Sequence, residues 1–251
     1  MNTEANEEKN NKSSVSIPVS ESSTSKSIIL QGNLTIPKVA KGIVLFAHGS
    51  GSSRHSPRNN YVAEALNNDG LATLLADLLT QEEEEADVRI QKVRCKIPGL
   101  VLNKFNIKLL ASRLFAITDW VLQNSNTQFL TLGYFGASTG AAAALVAAAA
   151  TQYQEIVAAL VSRSGRPDLA GVDYLRLVKA PTLFIVGGND YKQVIDWNKN
   201  ALKDVGSEKK KLVVVPNANH LFEEAGTLEE VARVASGWFR CYFQIKQHSN
   251  I

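Results

Sequence analysis

The stretch from Thr131 to Ala150, TLGYFGASTGAAAALVAAAA, decides the fold. Within it, Gly136-Ala137-Ser138-Thr139-Gly140 fits the pattern G-x-S-x-G between an apolar, strand-like run and a run of alanines. The pattern alone is frequent by chance, and it would also describe a glycine-rich turn with an incidental serine. A strand directly before it and a helix directly after it are the setting in which such a serine stands exposed on a tight turn. The helix N-terminus then directs free N–H groups at that serine, so we predict that Ser138 is a nucleophile.

Strands and helices alternate on both sides of this turn. Strands are predicted at Ile28–Ile36, Gly42–Ala47, Leu71–Asp77, Gln128–Phe135, Glu155–Val161, Pro181–Gly187 and Lys211–Pro216. Helices are predicted at Asn60–Asn68, Phe105–Gln123, Thr139–Ala150, Tyr191–Val205 and Leu228–Phe243. Apolar strands that alternate with helices are typical of an α/β fold whose mostly parallel sheet is covered by helices on both faces. The sheet should have seven strands, or eight if Val15–Val19 joins its edge.

The domain organisation follows from composition along the chain. Residues 1–26 are rich in Ser, Asn, Glu and Thr and are expected to form a flexible polar tail. Residues 27–251 are expected to form a single domain, which is long enough to bury a sizeable core without metals or disulfides. Residues 81–104 are expected to be irregular apart from a solvated helix start at the acidic run 82–87, and a connection of that length often forms a lid.

Composition and charge exclude several classes of protein. The 27 Lys and Arg against 24 Asp and Glu give a formal charge of +3, scattered along the chain rather than collected into the basic stripe of a nucleic-acid-binding protein. Cys95 and Cys241 lie too far apart for a zinc motif, and no dinucleotide, nucleotide or zinc-protease motif occurs. No cofactor and no metal are therefore expected. The chain has neither an apolar run of membrane-spanning length nor a secretory leader, which predicts a cytoplasmic protein.

A serine nucleophile in this architecture is followed along the chain first by an acid and then by a histidine. His220 is the candidate base, because it follows the strand KLVVVP at the carboxyl edge of the sheet, where open α/β sheets bind ligands. His248 lies in the polar C-terminal tail. Asp190 is the candidate acid, because it follows a strand and two glycines, and it would hold the imidazole in the correct tautomer. Asp168, one strand earlier, is the alternative, and it equally suits a helix cap.

A loop of small residues, His48-Gly49-Ser50-Gly51-Ser52-Ser53, follows the buried strand GIVLFA. We predict an oxyanion hole made by the backbone N–H of Thr139 and one from this loop, with Ser50 as first choice and Gly51 as second. His48 is expected to brace the loop.

Five motifs together, HGSGSSRHSPRN, FGASTGAAAAL, VSRSGRPDLAG, FIVGGND and VPNANHLFEEAGTLEEV, resemble α/β-hydrolase fold proteins of the dienelactone-hydrolase-like family. The resemblance runs from about Ile28 to Phe243. It implies a mostly parallel sheet, typically of eight strands, and catalysis by Ser or Cys, Asp and His, which fall here on Ser138, Asp190 and His220. The name-giving dienelactone hydrolases use a cysteine nucleophile, so the resemblance is to a serine-containing branch and dienelactone itself is a doubtful substrate.

The sequence therefore predicts a carboxylesterase-like serine hydrolase that acts on a small-molecule ester or lactone through an acyl-enzyme. An acyltransferase or a peptidase with the same triad is an alternative, and a non-catalytic binding protein is a more distant one.

Two further expectations concern the substrate. Arg54, His55, Arg58 and Arg163 should lie near the carboxyl edge and would favour substrates that carry a carboxylate or phosphate. Alternatively, these side chains bind backbone carbonyls and acidic neighbours such as Asp168. Within the possible lid, Leu100 and Leu102 would face the substrate, unless the apolar segment 97–102 packs as ordinary core.

Overall fold

The computed structural model describes residues 10–20, 27–93 and 101–249. The described residues form eight strands: β1 Asn10–Ser20, β2 Ser27–Pro37, β3 Gly42–Ala47, β4 Ala72–Ala76, β5 Thr131–Ala137, β6 Val157–Arg163, β7 Thr182–Gly187 and β8 Lys210–Val215. The α-helices are α1 Pro57–Asn68, α2 Gln81–Val93, α3 Ile107–Gln123, α4 Thr139–Ala149, α5 Val172–Leu177, α6 Lys192–Asp204 and α7 Thr227–Ser249. None of these helices is both long and apolar enough to cross a membrane.

All eight strands belong to one sheet in the order β1-β2-β4-β3-β5-β6-β7-β8. In this spatial order, the six strands β4, β3, β5, β6, β7 and β8 run parallel to one another. Strand β2 is antiparallel to both of its neighbours, β1 and β4. The predicted mostly parallel sheet is therefore confirmed, with the eighth strand present. Because β3, β5, β6, β7 and β8 run in the same direction, the loops that follow them meet at one carboxyl edge.

Helices cover both faces of the sheet and bury two apolar clusters. Helices α1 and α7 pack on one face, and α3, α4 and α6 pack on the other. Every residue of α4 is buried. Its alanines carry little side-chain volume, so this helix can lie close to the sheet directly behind the Ser138 turn.

The first strand corrects the expected boundary of the polar tail. Strand β1 pairs with β2 along all of its eleven residues and buries Ile17 and Val19. The expectation of a flexible tail is therefore wrong for residues 10–20, because alternate apolar residues give this polar stretch one buried face. Residues 1–9 and 21–26 lie outside the described residues.

The segment 81–104 is also more regular than expected. Residues 81–93 form α2, whose first turn carries three glutamates that are favourable at the positive end of a helix dipole. A short 3-10 turn covers Asn103–Phe105, and residues 94–100 lie outside the described residues. Helix α5 was not predicted at all, since its six residues are too few to show a helical period.

Candidate active site

Ser138 lies at the turn between β5 and α4, with backbone angles φ 51° and ψ −120°. A positive φ is uncommon for a residue with a Cβ atom and is strained, so surrounding contacts must hold it. The Ser138 N–H donates to the carbonyl of Arg163 at 3.1 Å, and the Ser138 carbonyl accepts the N–H of Arg166 at 3.1 Å. The end of β6 and the loop that follows it therefore hold the turn, and the Ser138 hydroxyl does not cap the helix.

Glycines make this turn possible through close backbone approach. A Cβ atom at Gly136 would collide with the backbone of Ala141, and one at Gly140 would collide with the carbonyl oxygens of Ala47 and His48. A Cβ atom at Gly49 would stand 2.9 Å from the Cβ of Ser138. The loop after β3 is therefore packed directly against the serine.

Asp190 and His220 meet at the same edge, after β7 and β8. The imidazole Nδ1 of His220 lies 2.9 Å from both carboxylate oxygens of Asp190, which is buried. A carboxylate only accepts hydrogen bonds, so Nδ1 carries the proton and Nε2 is left as an acceptor. This tautomer is the one that a general base for a serine hydroxyl requires.

Ser164 was not anticipated as part of this group. It follows β6 with φ 39°, and its hydroxyl donates to Oδ2 of Asp190 at 2.8 Å. The backbone N–H of Tyr191 donates to Oδ1 at 2.7 Å, and the Tyr191 ring lies 6.2 Å from the imidazole. The only sequence signal for Ser164 was its position just after a strand that ends at this edge.

Asp168, the alternative acid, is engaged elsewhere. Both of its carboxylate oxygens accept hydrogen bonds from the guanidinium of Arg166, at 2.9 and 2.7 Å, and that guanidinium stacks on Trp197 at 4.0 Å. Of the two acids, the structure thus brings only Asp190 to His220. No hydrogen bond joins the Ser138 hydroxyl to His220 in the described residues, and catalytic hydrogen bonds are often long before a substrate binds.

A cavity of about 270 Å³ opens beside the serine turn. Its inner wall is formed by the whole loop His48–Ser53 and by Thr139, so all three candidate oxyanion residues, Ser50, Gly51 and Thr139, line it. The Thr139 hydroxyl is buried and has no hydrogen-bond partner in the part of the chain that the structure describes.

His48 braces this loop as a neutral imidazole. Its Nδ1 lies 3.0 Å from the carbonyl of Gly49, and its Nε2 accepts the N–H of Leu78 at 3.0 Å. Burial lowers the pKa of His48, against the opposing effects of the Gly49 carbonyl and the Asp77 charge. The neutral form therefore links the loop after β3 to the segment after β4.

Helix α2 forms the outer wall of the cavity through Glu84, Asp87 and Val88. Partial burial and the charges of Asp77 and Asp87 raise the pKa of Glu84, although the charge of Arg54 opposes this. The remaining lining residues are Leu79, Lys104 and Leu110.

The expected position of Leu102 is wrong. Leu102 is buried and does not line this cavity, because the chain around it is turned inward by the carboxylate of Asp87, which accepts the N–H groups of Asn103 and Lys104. Leu100 lies outside the described residues.

The four candidate substrate-binding cations have different surroundings. The carboxylate of Asp77 accepts hydrogen bonds from both the guanidinium and the backbone N–H of Arg54. Arg54 therefore binds an acidic neighbour, which is the alternative to substrate binding. His55 is exposed. Arg163 is buried, and its Nε and Nη1, like the buried Nε of Arg58, have no hydrogen-bond partner among the described residues.

Known proteins resemble this chain closely. A crystal structure of a dienelactone hydrolase from Anabaena variabilis is 55% identical and superposes with a TM-score of 0.82, covering 93% of this chain and 99% of the other. Est1E from Butyrivibrio proteoclasticus shares the fold at 18% identity, with a TM-score of 0.70 over 92% of this chain and 99% of its own.

A Mycobacterium tuberculosis protein named "Putative phosphoribosyl transferase" is 55% identical over 208 residues, which are 83% of this chain. The match spans only 43% of that protein's length. The family model for the dienelactone hydrolase family matches residues 30–249, almost the entire described structure. This match, together with the eight-stranded α/β sheet and the serine turn, shows that the chain belongs to the dienelactone hydrolase family.

Proposed function

We propose that this protein is a serine hydrolase that cleaves a carboxylic ester or lactone through an acyl-enzyme intermediate. The observation that carries the proposal is the contact of His220 with Asp190 at the edge where Ser138 is held on its strained turn. Membership of a hydrolase family supports the same reaction class. The mycobacterial transferase name belongs to a protein of which this chain matches less than half, and no contact at the site favours it.

In the acylation step, Nε2 of His220 removes the proton from the Ser138 hydroxyl as its oxygen attacks the carbonyl carbon of the ester. The carbonyl oxygen becomes an oxyanion, which the backbone N–H of Thr139 and one from Ser50 or Gly51 stabilise. The tetrahedral intermediate then collapses. The alcohol leaves with the proton from His220, and the acyl group stays on Ser138.

In the deacylation step, water attacks the acyl carbon and gives its proton to His220. The acid product leaves, and Ser138 regains its proton. Asp190 stays ionised throughout and stabilises the imidazolium that forms twice per cycle. The cavity beside Thr139 would take the acyl or alcohol portion, since it adjoins the predicted oxyanion hole.

The test is Ser138→Ala, assayed with 4-nitrophenyl esters of increasing acyl length. We expect kcat to fall by roughly 10³-fold or more, because only the oxyanion hole and substrate binding would remain. A fluorophosphonate probe should label the wild-type chain on Ser138 and leave the variant unlabelled. Ser14→Ala, on the exposed face of β1, is the matched control. Near wild-type turnover in Ser138→Ala would refute the proposal.

A further inference from the structure

Two cationic side chains at the carboxyl edge have no acidic partner within the described residues. Arg163 ends β6 and exposes 8% of its surface, yet its Nε and Nη1 have no hydrogen-bond partner in residues 10–20, 27–93 and 101–249. Arg58 lies in the first turn of α1, and its Nε is buried without a partner. By contrast, Asp77 binds Arg54 and Asp168 binds Arg166 in the same region.

Arg58 and Arg163 lie on the same face of the sheet. Side chains alternate along a strand, so Arg163 shares a face with Val161, which belongs to the apolar cluster under α1 and α7. Arg58 stands at the start of α1 on that face. Burial and the charge of Arg58 lower the pKa of Arg163 to about 10, so Arg163 still carries a positive charge at neutral pH.

Such a pair is unfavourable unless an anion accompanies it. A buried charge is costly when nothing neutralises it, and the like charge beside it adds to that cost. The first turn of α1 contains no acidic residue, so the positive end of its dipole adds to the same potential. A dianion would balance both guanidinium charges, whereas a carboxylate would balance only one. The fork of N–H donors on arginine also matches phosphate oxygens well.

The backbone of Arg163 adjoins the proposed nucleophile. Strands β5 and β6 are hydrogen-bonded neighbours, which lie about 4.8 Å apart, and the Arg163 carbonyl accepts the Ser138 N–H. The cavity wall on α2 instead presents the carboxyl groups of Glu84 and Asp87, which outnumber Lys104 in the lining and would repel an anionic group. A substrate bound at Ser138 would therefore direct an anionic group towards the arginines and an uncharged portion into the cavity.

We propose that Arg58 and Arg163 form an anion subsite that holds the phosphate group of a phosphorylated ester or lactone substrate. Assigning the anion to a substrate rests on the proposed hydrolase function, whereas anion binding by the two arginines does not.

The first experiment measures binding without turnover. The Tm of the full chain is recorded with inorganic phosphate, and with acetate or chloride at equal ionic strength, for wild type, Arg163→Met, Arg58→Gln and Arg233→Gln. Arg233 is the control because it is an exposed arginine on α7 paired with Glu230. Phosphate well above its Kd should raise the Tm of wild type and Arg233→Gln by roughly 5 °C, and should leave that of Arg163→Met unchanged.

Arg58→Gln provides the same comparison at a less buried position, should Arg163→Met fail to fold. Without phosphate, Arg163→Met should melt no lower than wild type, because the substitution removes an unpaired buried charge. The subsite does not exist if phosphate fails to raise the wild-type Tm, or if it raises the Tm of Arg163→Met and Arg58→Gln as much as that of wild type. A larger shift with acetate would overturn the assignment of phosphate.

The second experiment tests whether the anion that the two arginines bind is part of the substrate. Three 4-nitrophenyl esters of equal acyl length end in a methyl group, a carboxylate or a phosphate. We expect the phosphate ester to have the highest kcat/KM, and Arg163→Met to reduce its advantage over the methyl ester by about 100-fold. An unchanged ratio in Arg163→Met would contradict the proposal. If the protein hydrolyses none of these esters, the phosphate-dependent Tm still reports on the subsite, so the two proposals fail separately.

Discussion

Asp190 accepts hydrogen bonds from three sources at once, namely the imidazole of His220, the hydroxyl of Ser164 and the backbone N–H of Tyr191. These donors come from the segments after β6, β7 and β8, so the carboxylate is oriented by three neighbouring strands together. That orientation determines which imidazole nitrogen carries the proton. At the scale of the residue, the proposed chemistry therefore depends on Asp190 being an acceptor and never a donor.

Asp190→Asn tests this dependence. An amide can donate to Nδ1 of His220, which would place the imidazole proton on Nε2. A protonated Nε2 can no longer accept the proton of Ser138. We expect kcat for a 4-nitrophenyl ester to fall by roughly 10⁴-fold with the fold retained, as checked by circular dichroism. Asp168→Asn is the matched control, since it loses only the partly exposed pair with Arg166 and should change kcat little. The reverse order of effects would place the acid after β6.

At the scale of the element, two acidic side chains of α2 bind the segments beside it. Its Asp87 carboxylate accepts two backbone N–H groups of the 3-10 turn, at 2.7 and 2.9 Å, and its Glu83 pairs with buried Arg113 of α3 at 2.7 Å. Glu84 and Val88, each next to one of these two residues, line the cavity. We therefore infer that α2 is the part of the 81–104 segment that covers the cavity and acts as its lid.

Asp87→Ala should loosen α2 because two backbone donors lose their acceptor. We expect KM for long-chain esters to rise several-fold and the acyl-length preference to broaden, with a smaller effect on kcat. Steady-state kinetics across the ester series measures both. Glu85→Ala on the same helix is the control, because Glu85 is exposed and makes only surface contacts with Gln81 and Arg89. An unchanged acyl-length profile in Asp87→Ala would show that α2 is not a lid.

At the scale of the whole molecule, β1 extends the sheet at the edge opposite β8. It adds Ile17 and Val19 to the core that α3 and α4 also bury. This strand lies four strands from β5, so it should affect the stability of the domain without reaching the serine turn.

Ile17→Ala tests the contribution of β1 to stability. Ile17 is completely buried, and truncating such a side chain usually costs about 2–5 kcal/mol of unfolding free energy, or roughly 10 °C in Tm for a chain of this size. Urea unfolding and thermal melting measure the two quantities. Ser14→Ala, on the exposed side of the same strand, should stay within about 0.5 kcal/mol of wild type. Equal stability of Ile17→Ala and wild type would mean that β1 is not part of the cooperative fold.

Sequence by itself determined the features that depend on local spacing. Gly136 is required by a contact with Ala141 in the same turn, and the apolar runs of β3, β5, β6 and β7 are buried on both faces, so each is visible in its own segment. Chain order then suggested Asp190 and His220, and the structure places these two side chains in contact.

Tertiary structure alone decided the features that depend on partners distant in the chain. Strand β1 is polar in composition and becomes a strand only because β2 supplies its hydrogen bonds and the core accepts two of its side chains. Helix α2 has a charged sequence whose position over the cavity depends on Asp87 and Arg113. Arg54 and Arg163 look alike in sequence, yet Asp77 binds the first and no carboxylate in the described residues binds the second. Whether a charge is paired depends on side chains that only folding brings together.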